Sequence, residues 1–182
     1  YSEALQKRPA PLIFLIAGTG ASHNGAKNVN MARAFYKAGF HVVSLSSPTY
    51  PNFVSSASST GVVGHAQNDA EDLYRVMEMI WKRLDDKIEA TSFNLTGYSL
   101  GAFNSAFVAK LDEDRKSFNF RRVLLINPPV SLYNSISLLD RMTENIPGGE
   151  DNFDVFFDRL VAGFSEVYKE QEVDLNFVYT EL

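Results

Sequence analysis

Short apolar runs alternate with helical segments along residues 11–129, and this alternation is the feature that most constrains the fold. The first run, Leu12–Ile16, is apolar at every position, as expected of a strand covered on both faces. Further strand-like runs follow at 41–45, 92–96 and 122–126. Because strand–helix–strand units form parallel sheets with helices on both faces, the pattern predicts an α/β fold with a mostly parallel sheet.

The segments between the predicted strands carry helical periodicity. The first helix is predicted to begin at Asn28 and the second at Asp69, because both side chains can cap a helix. The third helix is predicted over 102–111. Its core-facing residues are predicted to be Phe103, Ala106 and Phe107. Residues 48–67 are predicted to form a long functional loop.

After Pro129 the chain carries helical periodicity without a further strand. We therefore predict one domain over 1–182, with a core at 11–129 and a helical lid at 130–182. The apolar stripe of the second lid helix fits either packing on the core or an acyl-binding wall, and the pattern favours neither. The lid helices are predicted at 132–142 and 153–168, with a short piece near Leu175.

The composition excludes several classes of protein. The 182 residues are 45% hydrophobic with a formal net charge of -5, which is typical of a soluble domain with one core. Without clustered positive charge a nucleic-acid surface is not expected. The absence of cysteine excludes disulfides and thiolate metal sites and fits either the cytosol or export. Because no apolar run reaches about 18 residues, no membrane span is predicted.

The strongest chemical signal is the sequence Gly97-Tyr98-Ser99-Leu100-Gly101, which lies between a predicted strand and a predicted helix. In this context the G-x-S-x-G pattern predicts a sharp turn that exposes the Ser99 hydroxyl above the carboxyl edge of the sheet. Ser99 is thus the candidate nucleophile. The alternative is a serine that caps a helix between two glycines chosen for packing.

A second glycine-rich segment, Gly18-Thr19-Gly20, follows the first predicted strand. An acyl-transfer enzyme needs two N–H donors for the oxyanion of its tetrahedral intermediate. The amides of Thr19 and Leu100 are predicted to supply them. On its own this segment would be interpreted as an ordinary glycine turn, and the serine motif downstream is what favours the oxyanion role. Substrate contacts are predicted for Gly18, Gly20 and His23 in this loop and for Tyr98 next to the candidate nucleophile.

These two motifs, in this order, make the segment 11–129 resemble the α/β-hydrolase superfamily. The resemblance implies that its predicted strands are the third to sixth of an eight-stranded sheet. It also implies an oxyanion loop after the third strand and a nucleophile after the fifth. One departure is Ala17, where many members carry His before the loop glycine. Since the oxyanion donor is a backbone amide, this change leaves the predicted chemistry intact.

The catalytic triad of that family follows the chain order Ser, acid, His, and this sequence does not complete it. All three histidines, at positions 23, 41 and 65, precede Ser99, and the fourth predicted strand ends in Asn127 rather than an acid. The acid and the histidine are therefore expected beyond Leu182. Two strands that the resemblance places before the first one cannot fit into residues 1–10, so an incomplete fold is predicted.

Two phosphate-binding patterns are incomplete in the loop after the first strand. In the G-x-x-x-x-G-K-[ST] pattern that starts at Gly20, the lysine comes one place late at Lys27, and Asn28 replaces the hydroxyl. The G-x-G-x-x-G pattern that starts at Gly18 ends in His23. No His–Asp cluster has metal-ligand spacing. The sequence therefore predicts neither a cofactor nor a metal.

The sequence thus favours a serine hydrolase that cleaves an ester, thioester or amide of a small-molecule acyl substrate through an acyl-enzyme on Ser99. The 182-residue chain by itself is expected to be inactive, because the base is missing. Two alternatives remain open, a hydrolase-like binding module without catalysis and an acyltransferase that uses the same serine.

Overall fold

A computed structural model describes residues 1–144, 146, 148–152, 154–156 and 158–159. The chain divides into two compact units, Tyr1–Val130 and Ser131–Leu182. The first unit contains the five strands of the described residues, which are β1 (Ser2–Ala4), β2 (Ala10–Ile16), β3 (His41–Leu45), β4 (Ala90–Tyr98) and β5 (Arg122–Ile126). Its helices are α1 (Ala26–Lys37), α2 (Pro51–Ser56), α3 (Ala66–Leu84) and α4 (Leu100–Arg115).

The five strands form one sheet in the order β1-β3-β2-β4-β5. Only β1 is antiparallel, and it pairs with β3 at one edge. The other four strands are parallel, so their carboxyl ends meet at a single edge of the sheet. The predicted α/β fold with a mostly parallel sheet is confirmed.

Helices cover both faces of the sheet, as predicted. Val43 of β3 belongs to the core cluster that contains Leu73 and Met77 of α3. Val42, the preceding residue, lies instead beside Val29 of α1. Because successive side chains of a strand point to opposite faces, α1 and α3 pack on opposite sides of the sheet. This placement follows from right-handed crossovers, since the chain moves from β2 to β3 in one direction and from β3 to β4 in the other.

Several predicted boundaries are wrong for physical reasons. The first strand is not at residue 12: β1 precedes it, and its three residues are too few to show a pattern. The loop predicted over 48–67 contains α2, which begins with Pro51 at its first position. Helix α1 begins at Ala26 and α3 at Ala66, so the predicted caps Asn28 and Asp69 both lie inside their helices.

The two misassigned caps have other roles. Asn28 is fully buried, and its Nδ2 donates to the carbonyl oxygen of Leu45 across 3.5 Å. Asp69 is buried and its carboxylate accepts from the Gly64 amide at 2.9 Å. Burial raises the pKa of Asp69 above its ordinary value. Asn28 therefore holds the end of β3, whereas Asp69 bonds the residue directly before His65, the N-cap of its own helix.

Helix α4 begins two residues earlier than predicted, and its most buried residues are not the predicted ones. Its buried side includes Gly101, Asn104, Ser105 and Val108. Of the residues predicted to face the core, Phe107 is half-buried and packs against the core cluster, Phe103 is half-buried, and Ala106 is exposed. Small and polar residues replace the expected apolar stripe because the helix lies close against the sheet backbone, as the contacts of Gly101 described below show.

The carboxyl end of α4 is fixed by a buried polar network. The hydroxyl of Tyr74 donates to Asp112 Oδ1 at 2.6 Å, and the Ser117 amide donates to the same hydroxyl at 3.1 Å. The amides of Phe118 and Phe120 donate to the two oxygens of Asp112, each at 3.0 Å. Burial and the hydrogen bond to Asp112 raise the pKa of Tyr74 to about 12.

The second unit begins with α5 (Leu132–Glu144), which agrees with the helix predicted at 132–142. A short 3-10 helix follows over Glu150–Asn152. Most of the helix predicted at 153–168, and the piece near Leu175, lie outside the described residues. Within the described residues, no helix is both long enough and apolar enough to cross a membrane.

Candidate active site

Ser99 occupies the tight turn that joins β4 to α4 at the carboxyl edge of the sheet. Its backbone has a φ of 53° and a ψ of -126°, a combination that residues other than glycine rarely adopt. The residue is exposed. Although Ser99 stands at the N-cap position, its side chain makes no capping hydrogen bond. The alternative of a helix-capping serine thus lacks the interaction that defines it.

Glycines on either side of Ser99 are required by close backbone approaches. A Cβ atom on Gly97 would clash with the backbone of Gly101 across the turn. A Cβ atom on Gly101 would clash with the backbone carbonyls of Ile16 and Ala17 at the end of β2. Such overlaps with the main chain cannot be relieved by turning a side chain. The two glycines therefore allow the turn to be tight and α4 to begin against the sheet.

The backbone of the turn is anchored on one side and free on the other. The Ser99 amide donates to the carbonyl oxygen of Ile126 in β5 at 3.0 Å. The carbonyl oxygen of Ser99 accepts from the amides of Ala102 and Phe103. Among the described residues, the amide of Leu100, the first residue of α4, has no acceptor. Such free N–H groups at the start of a helix are donors available to a developing negative charge.

The loop after β2 forms a tight turn beside β3. The Ala17 amide donates to the carbonyl oxygen of Leu45, and the Ala21 amide donates to that of Gly18, each at 3.1 Å. Gly20, the third residue of this turn, has a φ of 62°, which suits glycine. Thr19 is exposed, and its amide has no hydrogen-bond acceptor in the described part of the chain.

This turn is held by the segment that follows β3, a support that sequence reasoning missed. The Gly20 amide donates to Thr49 Oγ1 at 2.8 Å, and Thr49 Oγ1 is also 2.8 Å from the Ser47 hydroxyl. The Ser47 amide donates to the carbonyl oxygen of Ala21 at 3.0 Å. A run of small hydroxyl residues directly after a buried strand was the available signal, since such side chains bond to nearby backbone.

The two predicted motifs contact each other through Gly18 and Tyr98. A Cβ atom on Gly18 would lie 2.7 Å from Tyr98 Cε2 and 3.2 Å from the Tyr98 carbonyl oxygen, so only glycine fits there without displacement. On the other side, Lys27 Nζ lies 5.0 Å from the centre of the Tyr98 ring. The structure thus brings Gly18 and Tyr98 together next to Ser99.

Two of the three histidines have hydrogen-bond partners elsewhere, and the third, His23, lies in a separate cleft. His41 is buried at the start of β3, at the opposite edge from Ser99, where its Nδ1 accepts from the Gln6 amide at 3.1 Å. His65 caps α3, and its Nδ1 accepts from the Asn68 amide at 3.4 Å. His23 lines a cleft beside α1 that Ser99 does not line. Burial, followed by the positive charge of the Tyr1 amino group, lowers the pKa of His23.

The Ser99 side chain therefore has no base within the described residues, where neither a histidine nor an acid is hydrogen-bonded to its hydroxyl. Asn127 follows β5 at the same edge of the sheet; it is exposed and has a φ of 49°. No group of three or more His, Cys, Asp or Glu residues in the described segments could hold a metal ion. The predicted roles of Gly20 and His23 in binding substrate stay predictions.

No family model matches this chain. No curated protein sequence matches it either. Several solved structures are similar to this chain, among them the following two. One is the thioesterase domain from the curacin biosynthetic pathway, with 15% identity and a TM-score of 0.42 over 76% of this chain and 46% of that chain. The other, from Lactobacillus plantarum WCFS1, is assigned as a carboxylesterase, with 16% identity and a TM-score of 0.48 over 83% of this chain. This chain spans 46% and 60% of the lengths of the two matched chains.

Proposed function

We propose that this chain is the nucleophile-bearing part of a serine hydrolase that cleaves an ester, thioester or amide. The observation that carries the proposal is the conformation of Ser99, which is exposed at a φ of 53° between β4 and α4. A strained turn of this kind, permitted by close contacts at Gly97 and Gly101, is the geometry of a nucleophile elbow. Strain at one exposed serine suits a functional role better than a structural one.

In the proposed reaction the Ser99 oxygen attacks the acyl carbon of the substrate, and its proton passes to a base. The leaving alcohol, thiol or amine departs and leaves an acyl-enzyme, which water then hydrolyses. The free amides of Thr19 and Leu100 would donate to the oxyanion of each tetrahedral intermediate. The acyl group is expected to be moderately apolar. No cofactor is needed for this chemistry.

The base and the acid that orients it are proposed to come from chain beyond Leu182. The rings of His41 and His65 are hydrogen-bonded elsewhere. The His23 ring lies in a cleft that Ser99 does not line. A serine hydroxyl without a base is a poor nucleophile. The 182-residue chain is therefore expected to show no meaningful turnover, and a measurable kcat from it would contradict the missing-base argument.

The test is covalent labelling of the full-length protein with a fluorophosphonate probe. The wild type should be labelled, and Ser99→Ala should abolish labelling, because the probe reacts with activated serines. Ser55→Ala is the matched control: Ser55 is exposed in α2, and its hydroxyl donates only to the Asn52 carbonyl oxygen. Equal labelling of Ser99→Ala and the wild type would overturn the assignment.

A second candidate is a hydrolase-like module that binds a ligand without turning it over. It is favoured by the absence, among the described residues, of any base in contact with Ser99. The two candidates differ in the natural gene: catalysis requires an acid after one further strand and a histidine after another. If neither is encoded, the binding module is preferred. Acyl transfer to an alcohol or amine would be distinguished by product analysis with competing nucleophiles.

A further inference from the structure

A cleft of about 300 Å³ lies on the α1 side of the sheet, apart from the turn that carries Ser99. Its floor is the antiparallel pair of β1 and β3, in which Ser2 is opposite Ser44 and Ala4 is opposite Val42. Directly paired residues share a face, so these four side chains point into the cleft. Glu3, between Ser2 and Ala4, also belongs to the lining. The volume is at the lower end of the range for small-molecule sites, about 300–1,000 Å³.

The wall of the cleft is one face of α1. Its four residues are spaced i, i+3, i+4 and i+7, which places them on one side of a helix. They are Val29, Ala32, Arg33 and Tyr36. Most of this surface is apolar, and Val29 and Tyr36 are each 39% exposed although they face the sheet. The lining would take up a compact apolar group.

Besides Glu3 and Tyr36, four polar side chains line this cleft, those of Ser2, His23, Arg33 and Ser44, and none has a hydrogen-bond or ion-pair partner among the described residues. Ser44 is only 2% exposed, but its hydroxyl oxygen is accessible to solvent and lines the cleft. Ser2 stands directly opposite it. Arg33 reaches the cleft from α1. A guanidinium beside two hydroxyls is a donor set for a carboxylate.

We propose that this cleft binds a small monocarboxylate with a compact apolar body, such as a medium-chain fatty acid. Arg33 pairs with the carboxylate, and the hydroxyls of Ser2 and Ser44 donate to it. The alkyl part lies between Val42 on the floor and the apolar face of α1. This site is separate from the proposed acyl-enzyme chemistry at Ser99, so either proposal can fail without the other.

Hexanoate is the probe, and binding to the full-length protein is followed by amide chemical shifts. The expected result is saturable shifts at β1, β3 and α1, retained in Ser99→Ala. Arg33→Gln should weaken hexanoate binding by about tenfold, since it removes the charged donor. Lys37→Gln is the matched control, because Lys37 is a cation in the last turn of the same helix but does not line the cleft.

Ser44→Ala provides a second variant, which removes a hydroxyl without adding volume and should also weaken hexanoate. Hexan-1-ol, which lacks the charge, should bind the wild type as weakly as hexanoate binds Arg33→Gln. Three results would each overturn the proposal. The first is that hexanoate causes no chemical-shift changes, or changes only at the turn that carries Ser99. The second is that hexanoate binds Arg33→Gln as tightly as the wild type. The third is that hexan-1-ol binds the wild type as tightly as hexanoate does.

Discussion

The two ends of α4 are built in opposite ways. At its carboxyl end, Asp112 accepts from the Tyr74 hydroxyl and from the amides of Phe118 and Phe120, so both of its oxygens are used. At its amino end, the Ser99 side chain is exposed, and the Leu100 amide has no acceptor among the described residues. One end satisfies its buried polar groups and the other leaves polar groups available.

This difference separates the end of α4 that stabilises the fold from the end that carries the proposed chemistry. Buried polar groups that lose their partners each destabilise a protein by about 1–3 kcal/mol, which gives the network at Asp112 a large structural effect. Free donors at an exposed turn contribute little to stability and are useful only to a ligand. Both ends also contain a residue with positive φ, Ser99 at 53° and Lys116 at 57°, so the comparison can be tested residue by residue.

The largest expected effect is that of Gly101→Ala at the amino end. The added methyl group would clash with the carbonyl oxygens of Ile16 and Ala17, which are fixed in the sheet. We expect a loss of roughly 3 kcal/mol or more in the free energy of unfolding, measured with urea, together with the loss of fluorophosphonate labelling.

The control for Gly101→Ala is Gly25→Ala, at a position where φ is -63° and a Cβ atom would be 3.3 Å from the nearest oxygen. It should change stability by less than about 1 kcal/mol. If the two variants unfold at the same urea concentration, the close approach of α4 to β2 is not as described.

Asp112→Ala should disrupt the hydrogen-bond network at the carboxyl end of α4 without changing the reactivity of Ser99 at its amino end. Removing the carboxylate leaves two amides and the Tyr74 hydroxyl unpaired, so we expect a loss of about 3 kcal/mol in urea unfolding. Labelling of Ser99 in the folded protein should be unchanged. Asp114→Ala, at an exposed site on the same helix, is the control and should be nearly neutral. Slower labelling of folded Asp112→Ala would show that the two ends are coupled.

Ser99→Gly gives the smallest and most discriminating effect. Glycine adopts a φ of 53° and a ψ of -126° without strain, so this variant should be more stable than wild type by about 1 kcal/mol, yet unlabelled. Lys116 has an ordinary left-handed conformation, with φ 57° and ψ 26°. Lys116→Gly should therefore raise the free energy of unfolding by less than Ser99→Gly does, and Ser99 should still be labelled in it. A larger gain at Lys116 than at Ser99 would contradict the strain assigned to the turn.

Strands were predictable where burial on both faces made them uniformly apolar, as in Leu12–Ile16. The three residues of β1 show no pattern, because an edge strand this short is defined by its partner β3. Of the inward residues of α4, only Phe107 was predicted correctly, because the contact with the sheet requires Gly101 and Ser105, whereas sequence reasoning sought apolar residues. The predicted cap at Asn28 failed because a tertiary partner, the carbonyl oxygen of Leu45, takes its side chain. Asp69 does bond at the start of its helix, but to Gly64, while His65 is the N-cap.

At the candidate site, the sequence was sufficient for the residues whose backbone is constrained. The glycines around Ser99 and at Gly18 could be predicted because each turn or close approach excludes a Cβ atom. The support from Thr49 could not, because it depends on how two loops from different strands meet. The cleft beside α1 was likewise invisible, since its floor includes the unpredicted strand β1.

The anchoring of Ser99 has an evolutionary consequence. Its amide is bonded to the backbone of β5, and the glycine two residues later rests on the backbone of β2, so main-chain atoms alone fix its position. Substitutions in the surrounding side chains can therefore accumulate without moving the serine, provided that the glycines remain. A serine held in this way keeps its position when the surrounding pocket walls, and with them the ligands that fit, are changed.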